Sequence, residues 1–431
     1  MKYRRYLYFQ GEENMEKRVV VTGIGIVVSN GKNKEEFWAN CYTGISGLKC
    51  CTLFDTANFS TPIAGEISDD RYPYDEKSPN EKSRIDYMID ECIQDLLVDG
   101  NLTPKDITSL GDRAYLSFAT SLGTNYKLLQ YEKEINKYGE GNAEWLLSIS
   151  NLLPDIKKKL GIEGGSFTTT TACAASTTAV GIGYDLIQSG KANLVVTGGA
   201  DPLNEFSYYG FNSLRALSHN VCKPFDINRD GINIGEGCGF IILESLENAL
   251  QRKAKIYAEI SGYGINNEAY HITSPDPKGV GAKLSMMMAC GYNQEIIDSI
   301  DYINAHGTGT KLNDSMELNA IQQLFQVEKA KVFVSSIKGL VGHCLAAAGI
   351  IELILTILSI EREVCIGNSN MICAMTKETS ENICLLKNNV ALRVEKALSN
   401  NFAFAGNTAS ILISRYYSEK GVNKVSDEIQ D

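Results

Sequence analysis

The sequence is poor in the residues that build metal sites and disulfide frameworks. Its 431 residues include only four histidines and two tryptophans. Twelve cysteines are present, but none forms a Cys-x-x-Cys pair, and the histidines have no metal-ligand spacing relative to them. This pattern predicts neither a metal nor a disulfide framework. It indicates a reduced, cytoplasmic protein whose cysteines are mostly small buried side chains.

The sequence also lacks a membrane-spanning run and a basic stripe. Its longest apolar run, 349–360, is interrupted by Glu352 and is too short to cross a bilayer. Acidic residues outnumber basic residues by 52 to 41, which gives a formal net charge of −11. No stretch is dominated by lysine and arginine, so neither nucleic acid nor a membrane is predicted as a partner. An acidic protein partner would need a local basic patch.

The two ends of the chain differ in composition from the rest. Residues 1–14 contain only a four-residue apolar run, so they lack the hydrophobic segment of a secretory signal. Their LYFQG stretch resembles a protease site that is used to remove expression tags. We interpret 1–14 as a disordered or tag-derived tail, with Met15 as the natural start, and 417–431 as a polar tail.

Between these tails, short β-branched segments alternate with helical ones. The first round of this pattern predicts a helix at 81–98 and strands at 18–23, 114–118, 166–171, 194–197, 240–243 and 256–263. The second round predicts helices at 282–290, 314–325 and 349–360, and strands at 302–305, 332–335 and 409–414. Two such rounds predict a layered α/β protein with two similar halves, which we place at 15–265 and 266–416.

A cysteine stands where a threonine-rich strand turns into a helix of small residues. In Thr170-Thr-Ala-Cys173-Ala-Ala-Ser176, the thiol is expected at the helix N-terminus. Unpaired N–H groups and the helix dipole at that position are expected to lower the thiol pKa and to hold an oxyanion. The alternative is a buried cysteine that only packs within a small-residue helix.

Three further segments place polar or aromatic side chains at the ends of predicted strands. These segments are Asn304-Ala-His306-Gly-Thr-Gly-Thr310, Ser335-Ser-Ile-Lys338-Gly-Leu-Val-Gly-His343, and Asn401-Phe-Ala-Phe404-Ala-Gly-Asn. A histidine at such a position can donate to a thioester carbonyl or act as an acid or base. The alternative for His306 is a turn histidine that bonds its own backbone. One cysteine, two histidines and a lysine at strand ends favour a common site.

These segments, together with 223–239 and 268–275, resemble the β-ketoacyl-ACP synthases of the elongating type, synthase II and its polyketide relatives. The resemblance extends over residues 17–415. It implies a thiolase-like five-layer αβαβα fold and decarboxylative condensation of an enzyme-bound acyl group with malonyl-ACP. The pathway would be fatty-acid elongation or a type II polyketide or polyene pathway. The resemblance also implies a homodimer, or a heterodimer with a chain-length-factor-like subunit.

The resemblance further implies a role for each motif residue. Cys173 would be the nucleophile, and His306 and His343 would stabilise the enolate that forms when carbon dioxide leaves. Lys338 would be an electrostatic partner in the site, set against Glu352. The N–H groups of Cys173 and Phe404 would form the oxyanion hole.

Other residues would serve the gate, the phosphopantetheine arm and the carrier protein. Phe404 would act as a gate as well as an oxyanion donor. The residues that would contact the phosphopantetheine arm of the acyl carrier protein are Thr273, Thr308 and Thr310. The carrier itself would meet Lys82, Arg84 and Arg215. No further cofactor is implied, because the substrates arrive on the carrier.

The chain departs from the family pattern at its C-terminal turn. The usual Gly-Phe-Gly-Gly turn reads Ala403-Phe404-Ala405-Gly406 here, and the two extra methyl groups are expected to stiffen the gate. Residues 125–163 match only loosely, so the acyl length stays open. The alternatives are a ketosynthase subunit that is active only with a chain-length partner, and a non-catalytic scaffold subunit. A degradative thiolase would need a second cysteine in the C-terminal turn, which has none.

Overall fold

A computed structural model of the chain describes residues 17–74, 78–147, 152–325, 331–375 and 380–418. The predicted tail 1–14 lies outside the described residues, as does 419–431 of the predicted polar tail.

Strands and helices alternate along the described chain, as the sequence pattern predicts. The strands are β1 (Val19–Val28), β2 (Leu48–Cys50), β3 (Ile63–Gly65), β4 (Ala114–Ala119), β5 (Ser166–Thr169), β6 (Leu194–Asp201), β7 (Gly237–Ser245), β8 (Ala258–Asn267), β9 (Tyr302–Asn304), β10 (Val332–Ser335), β11 (Val364–Cys365), β12 (Ile383–Leu385), β13 (Val390–Ala391), β14 (Lys396–Phe402) and β15 (Asn407–Ser414). The helices are α1 (Lys34–Thr43), α2 (Arg84–Asp99), α3 (Pro104–Thr108), α4 (Asn125–Tyr138), α5 (Glu144–Leu147), α6 (Leu152–Leu160), α7 (Ala175–Gln188), α8 (Glu205–Ser213), α9 (Leu246–Gln251), α10 (Val280–Ala289), α11 (Gln294–Asp298), α12 (Lys311–Leu324), α13 (Lys338–Val341) and α14 (Ala348–Arg362).

The strands form two halves with the same topology. The first half has the order β5-β4-β6-β7-β1, and the second has the order β10-β9-β14-β15-β8, with β12 added at its far edge. In each half three strands are parallel, and the last two run antiparallel to their neighbours. The halves join where Val19–Val21 pairs with Ala258–Ile260. The prediction of two similar halves is confirmed.

Helices α7 and α14 form the middle layer between the two halves. Each of them contacts strands of both halves, whereas α2 packs on the outside of the first half and α10 on the outside of the second. Every residue of α14 from Ala348 to Ile360 is buried, because the helix is covered on all sides. The layers therefore alternate as helix, sheet, helix, sheet, helix, which confirms the five-layer αβαβα arrangement.

Strand β8 bears on where the boundary between the two halves is placed. A division after residue 265 cuts through β8, whose antiparallel partner is β15 of the second half. We therefore propose a boundary between α9 and β8, close to residue 257. No helix among the described residues is long and apolar enough to cross a membrane.

Candidate active site

Equivalent turns of the two halves meet at the centre of the molecule. In the first half β5 leads through a 3-10 turn at Ala172–Ala174 into α7, and in the second a 3-10 turn at Leu345–Ala347 leads into α14. Both turns begin in a left-handed conformation, with φ of 49° at Ala172 and 51° at Leu345. Cys173 lies in the first turn and His343 just before the second. The repeated topology thus brings the thiol and this imidazole to the same place.

A cavity of about 450 Å³ opens from the surface and reaches Cys173. Its lining includes most of the site residues that the sequence predicts: Cys173, His306, His343, Phe404, Thr273, Thr308, Thr310 and Arg215. Lys338 and Glu352 are absent from this lining because they lie behind His306. The structure therefore brings the predicted motifs together around one enclosed space.

Both histidines have Nδ1 within hydrogen-bond distance of a donor. Their ring centroids are 5.4 Å apart. The Lys338 ammonium lies 3.3 Å from His306 Nδ1, and the backbone N–H of Leu345 donates to His343 Nδ1 over 3.2 Å. An ammonium and an amide N–H can only donate, so both Nδ1 atoms are acceptors and both protons are on Nε2. Each imidazole is therefore set as an N–H donor for a ligand.

Burial keeps these imidazoles neutral. Each histidine is only 2% exposed. Burial lowers the pKa of His306 and of His343 well below the usual histidine value, and the positive charge of Lys338 lowers it further. Neutral imidazoles that donate from Nε2 can stabilise a developing oxyanion without themselves titrating near neutral pH.

The Lys338–Glu352 pair is completely buried behind His306. Lys338 donates to Glu352 Oε1 and, over 2.5 Å, to the carbonyl oxygen of His306. Glu352 Oε2 accepts a hydrogen bond from Asn401 Nδ2 at 2.7 Å. Burial raises the pKa of the Glu352 carboxyl, while Lys338 and Asn401 oppose that effect. The contact between Lys338 and Glu352 that the resemblance implies is present.

The expected low pKa of the Cys173 thiol is wrong for this structure. The residue is 7% exposed, and burial raises the pKa of its thiol to about 12. The charge of Lys338 and the cysteine's own backbone N–H act in the opposite direction but are weaker. Helix termini shift a charge by only about 1 kcal/mol, whereas complete desolvation shifts a pKa by several units. The resting site therefore holds a protonated thiol.

The Phe404 turn is strained at one of its two alanines. Ala403 has an ordinary extended conformation with φ of −123°, whereas Ala405 is left-handed with φ of 59°. The Ala405 N–H donates to the Ile272 carbonyl at 2.7 Å, and Asn267 Nδ2 donates to the Ala405 carbonyl at 2.7 Å. The first bond ties the turn to the loop that carries Thr273, and the second ties it to the end of β8. The Phe404 ring packs against Phe211 with centroids 5.6 Å apart.

The structure contradicts one of the expected carrier contacts. Arg84 is 5% exposed and forms a bidentate ion pair with the buried carboxylate of Glu236, so it has no access to a partner at the surface. Lys82 is exposed but is paired with Asp90. Arg215 is exposed at the mouth of the cavity. A basic residue at the start of a helix is typical of the surface, but the Arg84 side chain forms an internal ion pair instead.

Two buried carboxylates that sequence reasoning missed support the site. Glu317 accepts the backbone N–H groups of His306 and Gly307 at 2.9 and 2.8 Å, and burial raises its pKa to about 7. Asp201 accepts the N–H of Ala346 at 2.8 Å, beside the turn that leads into α14. An acidic residue on the apolar face of the predicted helix 314–325 was the available signal for Glu317.

The described residues contain no group of three or more histidine, cysteine, aspartate or glutamate side chains that could hold a metal ion. The arrangement instead presents one thiol and two N–H donors at the end of a cavity lined by threonines. Such an arrangement can accept an acyl group on sulfur and stabilise negative charge on a thioester oxygen. The fold and the site together define a thiolase-fold enzyme that condenses thioesters.

Comparison with known sequences agrees with this class. Residues 16–249 match the family described as "Beta-ketoacyl synthase, N-terminal domain", and 257–371 match "Beta-ketoacyl synthase, C-terminal domain". The chain therefore belongs to the β-ketoacyl synthase family. It is 32% identical over 417 residues to a 3-oxoacyl-[acyl-carrier-protein] synthase 2 of Staphylococcus aureus strain N315, covering 94% of this chain and 99% of the relative. A synthase of the same name from Synechocystis is 33% identical over 422 residues and is covered to 99%, with 94% of this chain matched.

Solved structures show the same likeness. One is a type II PKS acyl-carrier protein in complex with its ketosynthase, AntDE:AntF, with a TM-score of 0.82 and 28% identity over 94% of this chain and 100% of that chain. Another is the ishigamide ketosynthase/chain length factor, with a TM-score of 0.81 and 31% identity over 94% and 100% of the two chains.

Proposed function

We propose that this chain extends an acyl group, held as a thioester on Cys173, by decarboxylative condensation with a malonyl group on an acyl carrier protein. The observation that carries this proposal is the shared cavity end, where the Cys173 thiol faces two imidazoles whose Nε2–H groups are free to donate. The product is a β-ketoacyl group on the carrier.

Acyl transfer comes first. The Cys173 sulfur attacks the thioester carbonyl of the incoming acyl carrier, and the N–H groups of Cys173 and Phe404 receive the negative oxygen. The carbon–sulfur bond to the carrier then breaks, and the proton of Cys173 ends on the departing carrier thiol. Because the thiol is protonated at rest, its deprotonation belongs to this step and does not precede substrate binding.

Decarboxylation follows on a malonyl thioester. The bond to the carboxylate breaks, carbon dioxide leaves, and the electron pair becomes an enolate whose oxygen accepts from His306 and His343. The enolate carbon then attacks the acyl carbonyl on Cys173. A carbon–carbon bond forms, and the Cys173 thiolate leaves and takes up a proton from solvent. Neutral donors suit this step because the charge appears only as the reaction proceeds.

The remaining lining residues suit the arm of a carrier protein. Thr308 Oγ1 and Thr310 Oγ1 lie 2.9 Å apart, and Thr273 lies on the opposite loop of the same cavity. We assign these three threonines to the phosphopantetheine arm and Arg215 to the carrier. Lys82 stays a weaker proposal because Asp90 neutralises it. The arm belongs to the substrate, so no separate cofactor is proposed.

Two pathways and two assemblies fit this reaction. The pathway is fatty-acid elongation or a type II polyketide or polyene pathway. A homodimer is one assembly, and a heterodimer with a chain-length-factor-like subunit is the other. The solved ketosynthase/chain length factor among the similar structures supports the second assembly. All twelve cysteines are free, which supports the proposed cytoplasmic location.

Replacing the thiol tests whether Cys173 carries the acyl group while His306 and His343 serve decarboxylation. Cys173→Ala is expected to lose condensation but to keep decarboxylation of malonyl-carrier, because the two imidazole donors remain. Carbon dioxide release and β-ketoacyl product are measured separately on the same sample. Condensation by the variant at more than a few per cent of the wild-type rate would refute the nucleophile, and a wild type that releases no carbon dioxide would refute the function.

A further inference from the structure

Helices α7 and α14 cross in close contact directly behind the thiol. The Ile350 N–H donates to Ser176 Oγ at 2.9 Å across this crossing. Gly349 lies at the point of closest approach, where a Cβ atom would come within 2.2 Å of Thr177 Oγ1. The first turn of α7, the helix that follows Cys173, therefore packs directly against the first turn of α14, the helix that carries Glu352.

A continuous line of hydrogen bonds starts at this crossing. Thr177 Oγ1 bonds Asn401 Oδ1 at 2.5 Å, and Asn401 Nδ2 bonds Glu352 Oε2 at 2.7 Å. Glu352 Oε1 accepts from Lys338, whose ammonium lies 3.3 Å from His306 Nδ1. All five side chains are at most 2% exposed, so water does not replace any member of the line.

The chemistry of the groups fixes the direction of each bond. An ionised carboxylate can only accept, so the amide nitrogen of Asn401 must face Glu352. The amide oxygen of Asn401 then faces Thr177, whose hydroxyl is the donor. The Thr177 hydroxyl is therefore the group that holds the Asn401 amide in this orientation.

We propose that Thr177 is a positioning residue for the condensation reaction: through Asn401, Glu352 and Lys338, its hydroxyl holds the proton of His306 on Nε2, where the enolate oxygen needs a donor. This inference rests on the proposed function. Helix α7 would then have a second role, because one of its side chains would keep the Nε2–H donor of His306, in the second half of the molecule, in place.

Loss of the hydroxyl should propagate along the line. Without its donor, the buried Asn401 carbonyl is unsatisfied, so the amide can turn and withdraw its N–H from Glu352. The Asn401 hydrogen bond lowers the pKa of Glu352, so its loss raises that pKa. Among the described residues, the titratable groups that interact electrostatically with Glu352 include Lys338 on α13, Tyr302 on β9, and Cys173 and Cys344 ahead of the two central helices. Glu352 then protonates at a higher pH, and Lys338 loses its counter-ion.

The test uses Thr177→Val, which keeps the shape of the side chain and removes its donor. Malonyl-carrier decarboxylation by the full chain is measured from acidic to neutral pH. We expect the rate at neutral pH to fall about tenfold, which is the usual effect of losing one hydrogen bond to a charged group. We also expect the acid limb of the profile, where the rate falls as the pH is lowered, to move to higher pH by about one unit. Thr177→Ser restores the donor and is expected to restore both the rate and the pH profile.

Two controls separate this role from a general structural one. Thr178→Val changes the next residue of the same helix, whose hydroxyl bonds the Ala174 carbonyl and Thr171 and takes no part in the line. It is expected to leave the acid limb in place. Acylation of Cys173, followed by intact mass, is expected to persist in Thr177→Val because the thiol and its N–H donors are unchanged.

A second readout does not depend on turnover. The chain has only four histidines, so ¹⁵N-histidine labelling gives a simple NMR spectrum in which ring-nitrogen shifts report the tautomer. His306 is expected as the Nε2–H tautomer in the wild type and in Thr177→Ser, and as a mixture in Thr177→Val. An unchanged tautomer together with an unchanged pH profile would overturn the inference, as would equal defects in the valine and serine variants. If Thr177→Val does not fold, Thr177→Ala replaces it in both measurements.

Discussion

At the scale of single residues, the site combines a protonated nucleophile with two neutral donors. Desolvation favours the neutral form of the thiol and of both imidazoles, because burial disfavours the charged form of either group. It raises the pKa of Cys173 to about 12 and lowers the pKa of both histidines. The buried ammonium of Lys338, next to His306, is balanced by Glu352 behind the site. The thiol and the two imidazoles at the inner end of the cavity are therefore all uncharged before substrate binds.

The protonation of Cys173 has a measurable consequence. Alkylation requires the thiolate, so the rate of Cys173 labelling by iodoacetamide should rise about tenfold per pH unit between pH 7 and 10 without levelling off. At pH 7 the exposed Cys50 and Cys373 should be labelled first. Peptide mapping after timed exposure measures both. If the labelling rate of Cys173 levels off below pH 9, the thiol pKa is not raised, and the helix N-terminus has a larger effect on it than burial.

At the scale of elements, the Phe404 turn shows where a local departure matters. Both alanines of the turn depart from the family pattern, but only Ala405 adopts a left-handed conformation. An L-residue with a Cβ atom pays about 1–2 kcal/mol in that region, whereas glycine does not. The expected stiffening of the gate therefore resides at Ala405 alone, where a backbone hydrogen bond to Ile272 and a side-chain hydrogen bond from Asn267 hold the turn.

Paired glycine substitutions separate these two positions. Ala405→Gly relieves the left-handed strain, which offsets the roughly 0.5–1 kcal/mol of extra chain entropy that glycine gives the unfolded state. Ala403→Gly brings only the entropic loss, because that residue is unstrained. The free energy of unfolding should thus be higher for Ala405→Gly than for Ala403→Gly by about 1 kcal/mol. Thermal and denaturant unfolding measure it, and equal stabilities would show that the turn stores no strain.

The gate itself can be followed in the same two variants. Ala405→Gly is expected to widen the range of accepted acyl lengths, because the turn then changes its backbone angles more easily. Ala403→Gly is the matched control and should keep the wild-type profile. The readout is Cys173 acylation across a ladder of acyl-carrier substrates.

The elements that sequence patterns predicted well are those with local causes. Helix α2 begins at Arg84, three residues later than predicted, because Ser83 and Asp86 form a capping box. Cys173, His306 and His343 were predicted because each stands at the end of a strand in its own motif. The Thr177–Asn401 bond was not predictable, since it joins residues 224 positions apart. The left-handed Ala405 was equally hidden, because composition alone does not reveal the sign of φ.

At the scale of the whole molecule, the repeated halves explain why the site is central. Each half ends a strand and begins a buried helix at the same topological position, and the two turns meet between the sheets. Among the described residues, the cavity connects that point with the surface, so we expect the protein that delivers the substrate to bind over the cavity mouth. The chain carries a net charge of −11, and Arg84 is buried, so broad electrostatic attraction of an acidic carrier is weak.

The mouth of the cavity is instead ringed by exposed apolar side chains. Leu214 and Leu312 line the cavity and are 46% and 60% exposed, and Arg215 and Lys311 line it beside them. Ile272, which is 72% exposed, lies between the lining residues His271 and Thr273. Exposed apolar side chains grouped at one place are typical of a protein contact. We therefore expect the carrier to bind mainly through these apolar contacts, with the two cations setting its orientation.

Leu312→Asp tests this expectation without endangering the fold. Leu312 is the second residue of α12, where an acidic side chain suits the helix dipole. The KM for malonyl-carrier should rise about tenfold, the usual effect of losing one well-placed apolar contact, while turnover of a malonyl-pantetheine thioester stays unchanged. Val98→Asp is the control, since Val98 is 77% exposed at the end of α2, on the outer face of the first half. Equal KM values for the two variants, or an equal loss with the small thioester, would place the carrier elsewhere.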